Sequence, residues 1–469
     1  MSDMNVNLIN EVNSLESEIW DLAHKIWELS ELSLEEKESS ALEAKYLADN
    51  GFIISDHGIG GLDFAWVATW GSGKPVIGIT VEFDALPGLG NEISMVKMPR
   101  KDGNLNGHGC GHNLIGNGAI CAAVALKNYL EKNNIDATLK VFGCPAEELI
   151  TGKNYMARAG AFDGLDACLH WHPLNKTTSF NLKTPALSSL KVEFFGKTSH
   201  SGLSPWAGRS AAHAAELFVH GINAMREHII PEARIHYLIE KAGNASNVVS
   251  DYSHINITYR GINAENVMKQ VAWINDIAKG AALMTQTKEK VTDLAGCYDI
   301  LPNQAMADRI MQYLNKLGAP KWTDEEQAFA KQMQKSEGYD EIGLSSVITP
   351  DPKGISIGGA SDVGDISYIA PTMGLAVACW PLGFAPHTWA ATACNGMSIG
   401  QKGMMRAAEI LALTGLDLIT DVEFLAAAKS EFLERTGGKP YQSLCQSDVP
   451  PLAAEHVHHI DTHDAIHHL

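Results

Sequence analysis

The chain has 469 residues, 45% of them hydrophobic, with a formal net charge of −19. The acidic residues are spread along the sequence and no block rich in Lys and Arg occurs, so we expect neither nucleic acid nor a membrane surface as a partner. The opening stretch "MSDMNVNLINEVNSLESEIW" carries acidic residues, whereas a secretory signal has a basic segment and an apolar run. We therefore expect a cytoplasmic protein. Its eight cysteines are too few for a disulfide scaffold and are expected to be thiols.

The first half of the chain has the pattern of an α/β sheet. Apolar residues recur at three- and four-residue steps from Leu8 to Leu29, which predicts an amphipathic helix, and a second helix is predicted around residues 41–49. Three continuous apolar runs then predict central strands: "PVIGITVEF" (75–83), "ATLKVFGCP" (137–145) and "LDACLHWHP" (165–173). Polar residues follow the ends of these runs, where open α/β sheets bind ligands.

After Leu187 the predicted elements follow the order β-α-β-β-α-β, which is typical of a compact ferredoxin-like unit. Sheet character returns with "TMGLAVACWPLG" (372–383), and a closing helix follows at 402–419. We therefore predict a catalytic domain in two parts, residues 1–186 and 300–435. An inserted domain would occupy residues 187–299, and a C-terminal tail residues 436–469.

Two further segments have no assigned role. The charged stretch "KWTDEEQAFAKQMQKSEG" (321–338), within residues 302–355, is either a cap over the cleft or a plain surface helix. The histidine-rich "AAEHVHHIDTHDAIHHL" (453–469) has no spacing that dictates one site, and we expect a loosely packed tail that could bind stray metal.

The stretch "NGHGCGHNLIGNG" (106–118) carries the first candidate ligands. Cys110 and His112 are two positions apart, and Gly109 and Gly111 let the backbone turn tightly enough for both side chains to reach one point. Thiolate and imidazole suit zinc, with manganese, cobalt or nickel as competitors. A glycine-rich turn with a core cysteine and surface histidines is the alternative.

Three more motifs end or follow apolar runs. In "CPAEEL", the adjacent Glu147 and Glu148 are either a solvated turn or a pair of like charges that needs a cation. In "HWHP", His170 and His172 share one face of a strand, as ligands or as core histidines. In "GFAPHTW", His387 stands beside a proline. A shared metal site explains these motifs better than separate coincidences.

In this order, "GHGCGHN", "CPAEE", "HWHP" and "APHTW" resemble the amidohydrolases of the metallopeptidase M20 family. The resemblance covers nearly the whole chain. It implies an α/β fold: a zinc-peptidase-like catalytic domain with a mixed sheet flanked by helices, plus an inserted ferredoxin-like α+β dimerisation domain. It also implies two divalent metal ions per subunit, Zn or Mn, that share a bridging water, and a homodimer or a heterodimer with a paralogous subunit.

Carried over by position, the resemblance implies that five residues bind the metals: Cys110, His112, Glu148, His172 and His387. Glu147 would be the general base, taking a proton from the attacking water and handing it to the leaving amine. His200 in "GKTSHSG" would stabilise the oxyanion in the partner's active site. Asn247 and Arg260 would hold the substrate's α-carboxylate. From sequence alone, His200 is a surface histidine and Arg260 a solvated charge.

The chain also departs from the family pattern. Many relatives begin the metal site with His-x-Asp, but this chain has Glu82-Phe83-Asp84, so Asp84 is not counted as a ligand and its role stays open. Asn113 stands where many relatives have Asp, which leaves its orienting role open. Asp362 either orients a ligand or caps a turn, and His170 is assigned to the core.

The expected activity is hydrolysis of an N-acyl or N-aroyl amino acid, with p-aminobenzoyl-glutamate as first choice. A dipeptidase or general aminoacylase would use the same metal chemistry. A non-catalytic, metal-binding partner subunit is the contrasting alternative. The complete ligand set with Glu147 argues against it, because inactive copies tend to lose costly clusters of charge.

Overall fold

The computed structural model describes residues 3–447 and residue 450. Eleven strands occur in this part of the chain: β1 (Ile53–His57), β2 (Trp66–Gly71), β3 (Val76–Glu82), β4 (Thr138–Cys144), β5 (Ala167–Leu174), β6 (Thr178–Ser179), β7 (Ala186–Phe195), β8 (Arg234–Lys241), β9 (Tyr252–Gly261), β10 (Lys288–Cys297) and β11 (Thr372–Ala378). The same residues form thirteen α-helices: α1 (Asp3–Ser14), α2 (Glu16–Leu29), α3 (Lys37–Asp49), α4 (His112–Asn133), α5 (Gly152–Arg158), α6 (Ala211–Met225), α7 (Ala264–Thr285), α8 (Gln304–Leu317), α9 (Asp324–Ser336), α10 (Val363–Ser367), α11 (Trp389–Asn395), α12 (Ser398–Thr420) and α13 (Val422–Thr436).

The larger sheet has seven strands in the order β1-β2-β4-β3-β5-β11-β6. Its four central strands, β4, β3, β5 and β11, are parallel, and the outer pairs are antiparallel. The central strands are the continuous apolar runs of the sequence, because helices cover both of their faces. Their carboxyl ends meet at one edge of the sheet, which is where the functional side chains lie.

Two long helices, α4 and α12, pack against each other and against one face of this sheet. The opposite face carries a second apolar cluster, in which Phe142 of β4 and Cys168 of β5 meet Tyr155 of α5 and Ile366 of α10. All eight cysteines are buried and unpaired, in agreement with the prediction that they are thiols. Both helical layers hold the carboxyl ends of the central strands in fixed positions.

The smaller sheet has the order β10-β7-β9-β8 and is antiparallel throughout. Residues of β9 are alternately buried, so that one face packs on α6 and α7 and Arg260 lies on the other. The chain order of these elements is β-α-β-β-α-β. The predicted fold class, a mixed α/β sheet with an inserted ferredoxin-like unit, is therefore confirmed.

Some predicted elements differ in detail. The helix predicted from Leu8 to Leu29 is two helices, α1 and α2, that meet at Leu15. The charged stretch at 321–338 forms α9, which buries Ala330 and Met333 in the main core. Gln334 of this helix donates a hydrogen bond to the Leu382 carbonyl oxygen at 2.8 Å. The stretch is thus a surface helix packed on the core.

The histidine-rich segment at residues 453–469 lies outside the described residues. Among the residues that are described, the helices are all too short or too polar to cross a membrane.

Candidate active site

A cleft of about 850 Å³ opens at the carboxyl ends of the parallel strands. Residues at the ends of β3 and β5, in the segments after β4 and β11, and on β8 and β9 line it. The cleft therefore lies between the two sheets. Four of the predicted ligands, Cys110, Glu148, His172 and His387, are among its lining residues, as is Glu147.

The glycine-flanked motif is the turn that begins α4. Gly111 has a φ of +82°, and a Cβ there would lie 2.7 Å from Cγ of Pro173, so only glycine fits this position. The turn makes His112 the first residue of α4 and leaves Cys110 just before it. The Cys110 Sγ lies 3.3 Å from Nε2 of His172. The turn thus brings the thiol to the end of β5.

His112 uses its two nitrogens differently. Its Nδ1 donates a hydrogen bond to Asp84 Oδ1 at 2.7 Å. Its buried Nε2 has no hydrogen-bond partner among the described residues, yet it lies 3.5 Å from Glu82 Oε2 and 3.7 Å from carboxylate oxygens of Glu147 and Glu148. Asp84 thus orients the imidazole so that its other nitrogen faces three carboxylates.

This arrangement perturbs the titration of both partners. Burial alone would lower the pKa of His112, but the Asp84 carboxylate raises that pKa well above its ordinary value. Burial would raise the pKa of Asp84, but His112 holds it at about 2. The carboxylates favour positive charge at the imidazole, and a divalent cation bound at Nε2 would satisfy the same preference.

Glu147 and Glu148 follow β4 in a tight turn, in which Ala146 and Ile150 both have positive φ. Glu148 Oε2 lies 3.2 Å from Nε2 of His387, and Glu148 Oε1 is buried without a hydrogen-bond partner among the described residues. Burial raises the pKa of Glu147 well above its ordinary value, and the nearby Glu82 carboxylate adds to this increase. The turn therefore directs both carboxylates into the cleft.

His387 and His172 are held by the backbone around them. His387 has a φ of +62°, and its N–H donates to the Gly109 carbonyl oxygen at 2.9 Å, which joins its segment to the glycine-rich turn. The Nδ1–H of His172 donates to the Pro173 carbonyl oxygen at 2.7 Å. Its Nε2 is thereby left as the ligand nitrogen.

The structure brings all five predicted ligands together. With Glu82 and Glu147 they form three groups, and within each group the donor atoms lie within 4.8 Å of one another. The groups are Cys110, His112 and His172; Cys110, Glu148 and His387; and Glu82, His112 and Glu147. Thiolate, imidazole and carboxylate are ligands of zinc, and the unpartnered atoms of His112 and Glu148 are buried polar groups that a cation would satisfy. The residues present therefore fit a divalent metal site.

The predicted substrate-binding residues lie in different places. Arg260 lines the cleft, and its Nη1 donates to the Gly358 carbonyl oxygen at 3.0 Å. His200 lies outside the cleft of its own chain, where its Nδ1 accepts hydrogen bonds from the N–H groups of Gly202 and Leu203. Asn247 is also outside this cleft. The roles predicted for His200, Asn247 and Arg260 stay predictions.

The sequence left the roles of Asp362 and Asn113 undecided and assigned His170 to the core. Asp362 Oδ1 accepts a hydrogen bond from the buried Lys153 ammonium at 2.6 Å, so it is the partner of a lysine. Asn113 donates to the carbonyl oxygens of Ala23 and Asn395, and so ties the start of α4 to neighbouring helices. His170 is buried at the cleft wall, and burial lowers its pKa to about 4.

The sequence did not identify four residues around the site: Glu82, Lys153, Arg234 and His236. Glu82 had a usable signal, because it precedes Asp84 by two positions at the end of a predicted strand. Arg234 and His236 had a similar signal, because residues two positions apart lie on one side of a strand, here β8. Lys153 had no such signal in the sequence, since a lysine in a short helix is ordinarily a solvated residue.

Comparison with known proteins identifies the family. Residues 183–284 match the M20 peptidase dimerisation domain. The chain is 34% identical over 435 residues to one of the subunits of p-aminobenzoyl-glutamate hydrolase of Escherichia coli, covering 87% of this chain and 90% of that protein. It is 26% identical over 392 residues to the Xaa-Arg dipeptidase of Mus musculus, covering 79% and 78%.

Among solved structures, the fold is similar to a dinuclear metal-binding peptidase of the M20 family from Bacillus subtilis. The TM-score is 0.56 at 16% sequence identity, and the match covers 86% of this chain and 98% of that one. This chain therefore belongs to the M20 peptidase family and is a hydrolase that acts on amide or peptide bonds.

Proposed function

We propose that this protein hydrolyses the amide bond of an N-acyl or N-aroyl amino acid in a metal-dependent reaction, with p-aminobenzoyl-glutamate as its first candidate substrate. The observation that carries the proposal is the convergence of four ligand-type side chains and Glu147 in one cleft, with His112 buried beside them. The similarity to a p-aminobenzoyl-glutamate hydrolase supports the choice of substrate.

Five side chains would hold two divalent ions: Cys110, His112, Glu148, His172 and His387. Cys110 belongs to two of the donor groups and could serve both ions. When bound, such ions polarise a carbonyl group and lower the pKa of water. The thiolate favours zinc, whereas the carboxylates also suit manganese.

Glu147 would transfer the proton. Its carboxylate lies within the donor cluster, 3.7 Å from Nε2 of His112, and is buried. It would accept a proton from the attacking water and deliver it to the nitrogen of the departing amine. A carboxyl group whose pKa is raised by burial is suited to both acceptance and release.

The cleft also offers a substrate site of mixed character. Arg260 on its wall could pair with a carboxylate through two parallel hydrogen bonds. Apolar side chains line the remaining wall and would suit an aromatic acyl group: Leu174, Phe180, Leu182 and Leu187. A substrate with an aromatic ring on one side of the amide and a carboxylate on the other matches this division.

The second candidate is a dipeptidase, which the similarity to Xaa-Arg dipeptidase favours. A dipeptide would use the same metal ligands and the same base. The difference would lie in the group on the acyl side, which carries a free amine in a dipeptide and an aromatic ring in p-aminobenzoyl-glutamate.

A substrate panel tests the proposal. Protein loaded with Zn²⁺ or Mn²⁺ is assayed with p-aminobenzoyl-glutamate, N-benzoyl and N-acetyl amino acids, and Xaa-Arg dipeptides. Release of glutamate from the first compound, with weaker activity on the others, is the expected result. Fastest cleavage of the dipeptides would favour the second candidate. No release from any compound would contradict hydrolysis by this chain alone and would favour a subunit that depends on a paralogous partner. The molar mass in solution is measured in parallel.

A further inference from the structure

A buried lysine lies beside the proposed metal site. Lys153 in α5 is fully buried, and its Nζ lies 2.7 Å from Glu82 Oε1 and 2.6 Å from Asp362 Oδ1. The backbone N–H of Lys153 also donates to Asp362 Oδ2 at 2.7 Å. Burying one ammonium group between two carboxylates requires well-defined geometry, because each unpaired charge would be strongly destabilising. Lys153 therefore fixes the position of the Glu82 carboxylate.

The second oxygen of Glu82 faces the proposed metal site. Glu82 Oε2 lies 3.5 Å from Nε2 of His112, the buried nitrogen that has no hydrogen-bond partner among the described residues. The other nitrogen of this imidazole is engaged by Asp84. Glu82, His112 and Glu147 each offer one ligand atom within 4.8 Å of the others. The unpartnered nitrogen is therefore evidence for a cation in addition to the evidence from the nearby acidic side chains.

We propose that Glu82 is a further carboxylate ligand of the metal site and that Lys153 holds it in place. One oxygen is occupied by the lysine, so the other is presented to any ion bound at Nε2 of His112. The inference rests on the proposed metal-dependent function and adds a residue outside the five expected ligands. Carboxylate oxygen is a suitable donor for either zinc or manganese.

A purely structural role for Glu82 makes a different prediction. If Glu82 served only as a counter-ion of Lys153, removing this whole cluster of three charges would leave metal binding unchanged. The triple variant Glu82→Gln, Lys153→Met and Asp362→Asn has the same net charge as Glu82→Gln alone. It contains neither an unpaired ammonium nor an unpaired carboxylate, because Asp362 is the other partner of Lys153. It therefore separates ligation from charge compensation.

Glu43→Gln is the matched control. Glu43 is also a fully buried glutamate, in α3, and its Oε1 accepts a hydrogen bond from Asn117 Nδ2 at 3.2 Å. It belongs to none of the donor groups found in the described residues. A glutamine there keeps the size and the acceptor oxygen, so it reports the effect of altering a buried glutamate away from the ion.

The experiment measures metal affinity directly. Full-length protein is stripped with a chelator and titrated with Zn²⁺ or Mn²⁺ alone in competition with a chromophoric chelator, after circular dichroism has verified folding. Glu82→Gln is expected to weaken binding by about tenfold or more, since even residues that only support ligands have effects of this size. The triple variant should be equally weak, and Glu43→Gln should match the wild type.

Wild-type affinity in Glu82→Gln, or its recovery in the triple variant, would overturn the proposal. If Glu82→Gln fails to fold, the triple variant alone decides between ligation and charge compensation. Tight metal binding by a wild-type protein that cleaves no substrate would contradict the proposed function but not the role of Glu82. A wild-type protein that takes up no metal would contradict both.

Discussion

At the scale of single residues, two of the proposed histidine ligands are oriented by neighbours that are not themselves ligands. Asp84 holds Nδ1 of His112, and the Pro173 carbonyl holds Nδ1 of His172. The sequence could predict these candidate ligands because each is a chemically distinctive residue in a short motif. It could not predict Lys153, because its partners Glu82 and Asp362 are distant in the sequence and meet only in the folded chain.

The first prediction concerns the two adjacent glutamates. Glu147→Gln removes the proposed base and should lower kcat by about 10²- to 10⁴-fold, the usual contribution of a positioned proton-transfer group. It should retain metal, because the two donor groups that contain Cys110 remain intact. The measurements are steady-state kinetics and elemental analysis of the purified variant.

Glu148→Gln is the control for this prediction. It changes the neighbouring residue in the same way, but Glu148 shares a donor group with Cys110 and His387, so this variant should lose bound metal. Substantial turnover by Glu147→Gln, or equal loss of metal from both variants, would remove Glu147 from the role of base.

At the scale of elements, the site depends on four parallel strands and one glycine-rich turn. The apolar runs predicted β3, β4, β5 and β11, because strands buried on both faces are apolar throughout. Their order in the sheet could not be predicted, since β4 lies between β2 and β3 through contacts that are distant in sequence. The edge strand β1 and its neighbour β2 were missed, and β1 is largely exposed and lacks a continuous apolar run.

The second prediction compares two glycines with positive φ. Gly111 has a φ of +82° and Gly88 a φ of +69°, so alanine at either position should cost about 1 kcal/mol in backbone strain. At Gly111 the new Cβ would also lie 2.7 Å from Cγ of Pro173, whereas at Gly88 nothing lies within 4 Å. Gly111→Ala must therefore displace the turn between Cys110 and His112.

The expected results differ in kind as well as in size. Gly88→Ala should lower Tm slightly and keep its metal and activity. Gly111→Ala should lower Tm further and lose bound metal, because the adjacent ligands shift. Calorimetry and elemental analysis measure both effects. Equal behaviour of the two variants would mean that the turn tolerates a side chain and does not position the ligands.

At the scale of the whole molecule, the inserted unit completes the cleft that the larger sheet begins. Arg234, His236 and Arg260 of the smaller sheet line the same cleft as the candidate ligands. The sequence predicted this unit from the order of its elements. It could not predict which face meets the cleft, because β8 and β9 come together there through pairings such as Arg234 with Arg260.

The third prediction concerns His200, which lies outside the cleft of its own chain. If His200 acts in the partner's site, a hybrid dimer of His200→Ala and Glu147→Gln contains one intact site. That site combines Glu147 from the first chain with His200 from the second. The two variants are co-expressed with different affinity tags, and the hybrid is purified through both tags.

Each variant alone should be nearly inactive, whereas the hybrid should regain about half of the wild-type kcat per dimer, because one of its two equivalent sites is complete. The control is a hybrid of two Glu147→Gln chains carrying the same tags, which should stay inactive. If His200 instead served its own chain, both sites of the mixed dimer would lack one group and no activity would return. The recovered kcat thus decides whether the active site is built from one chain or from two.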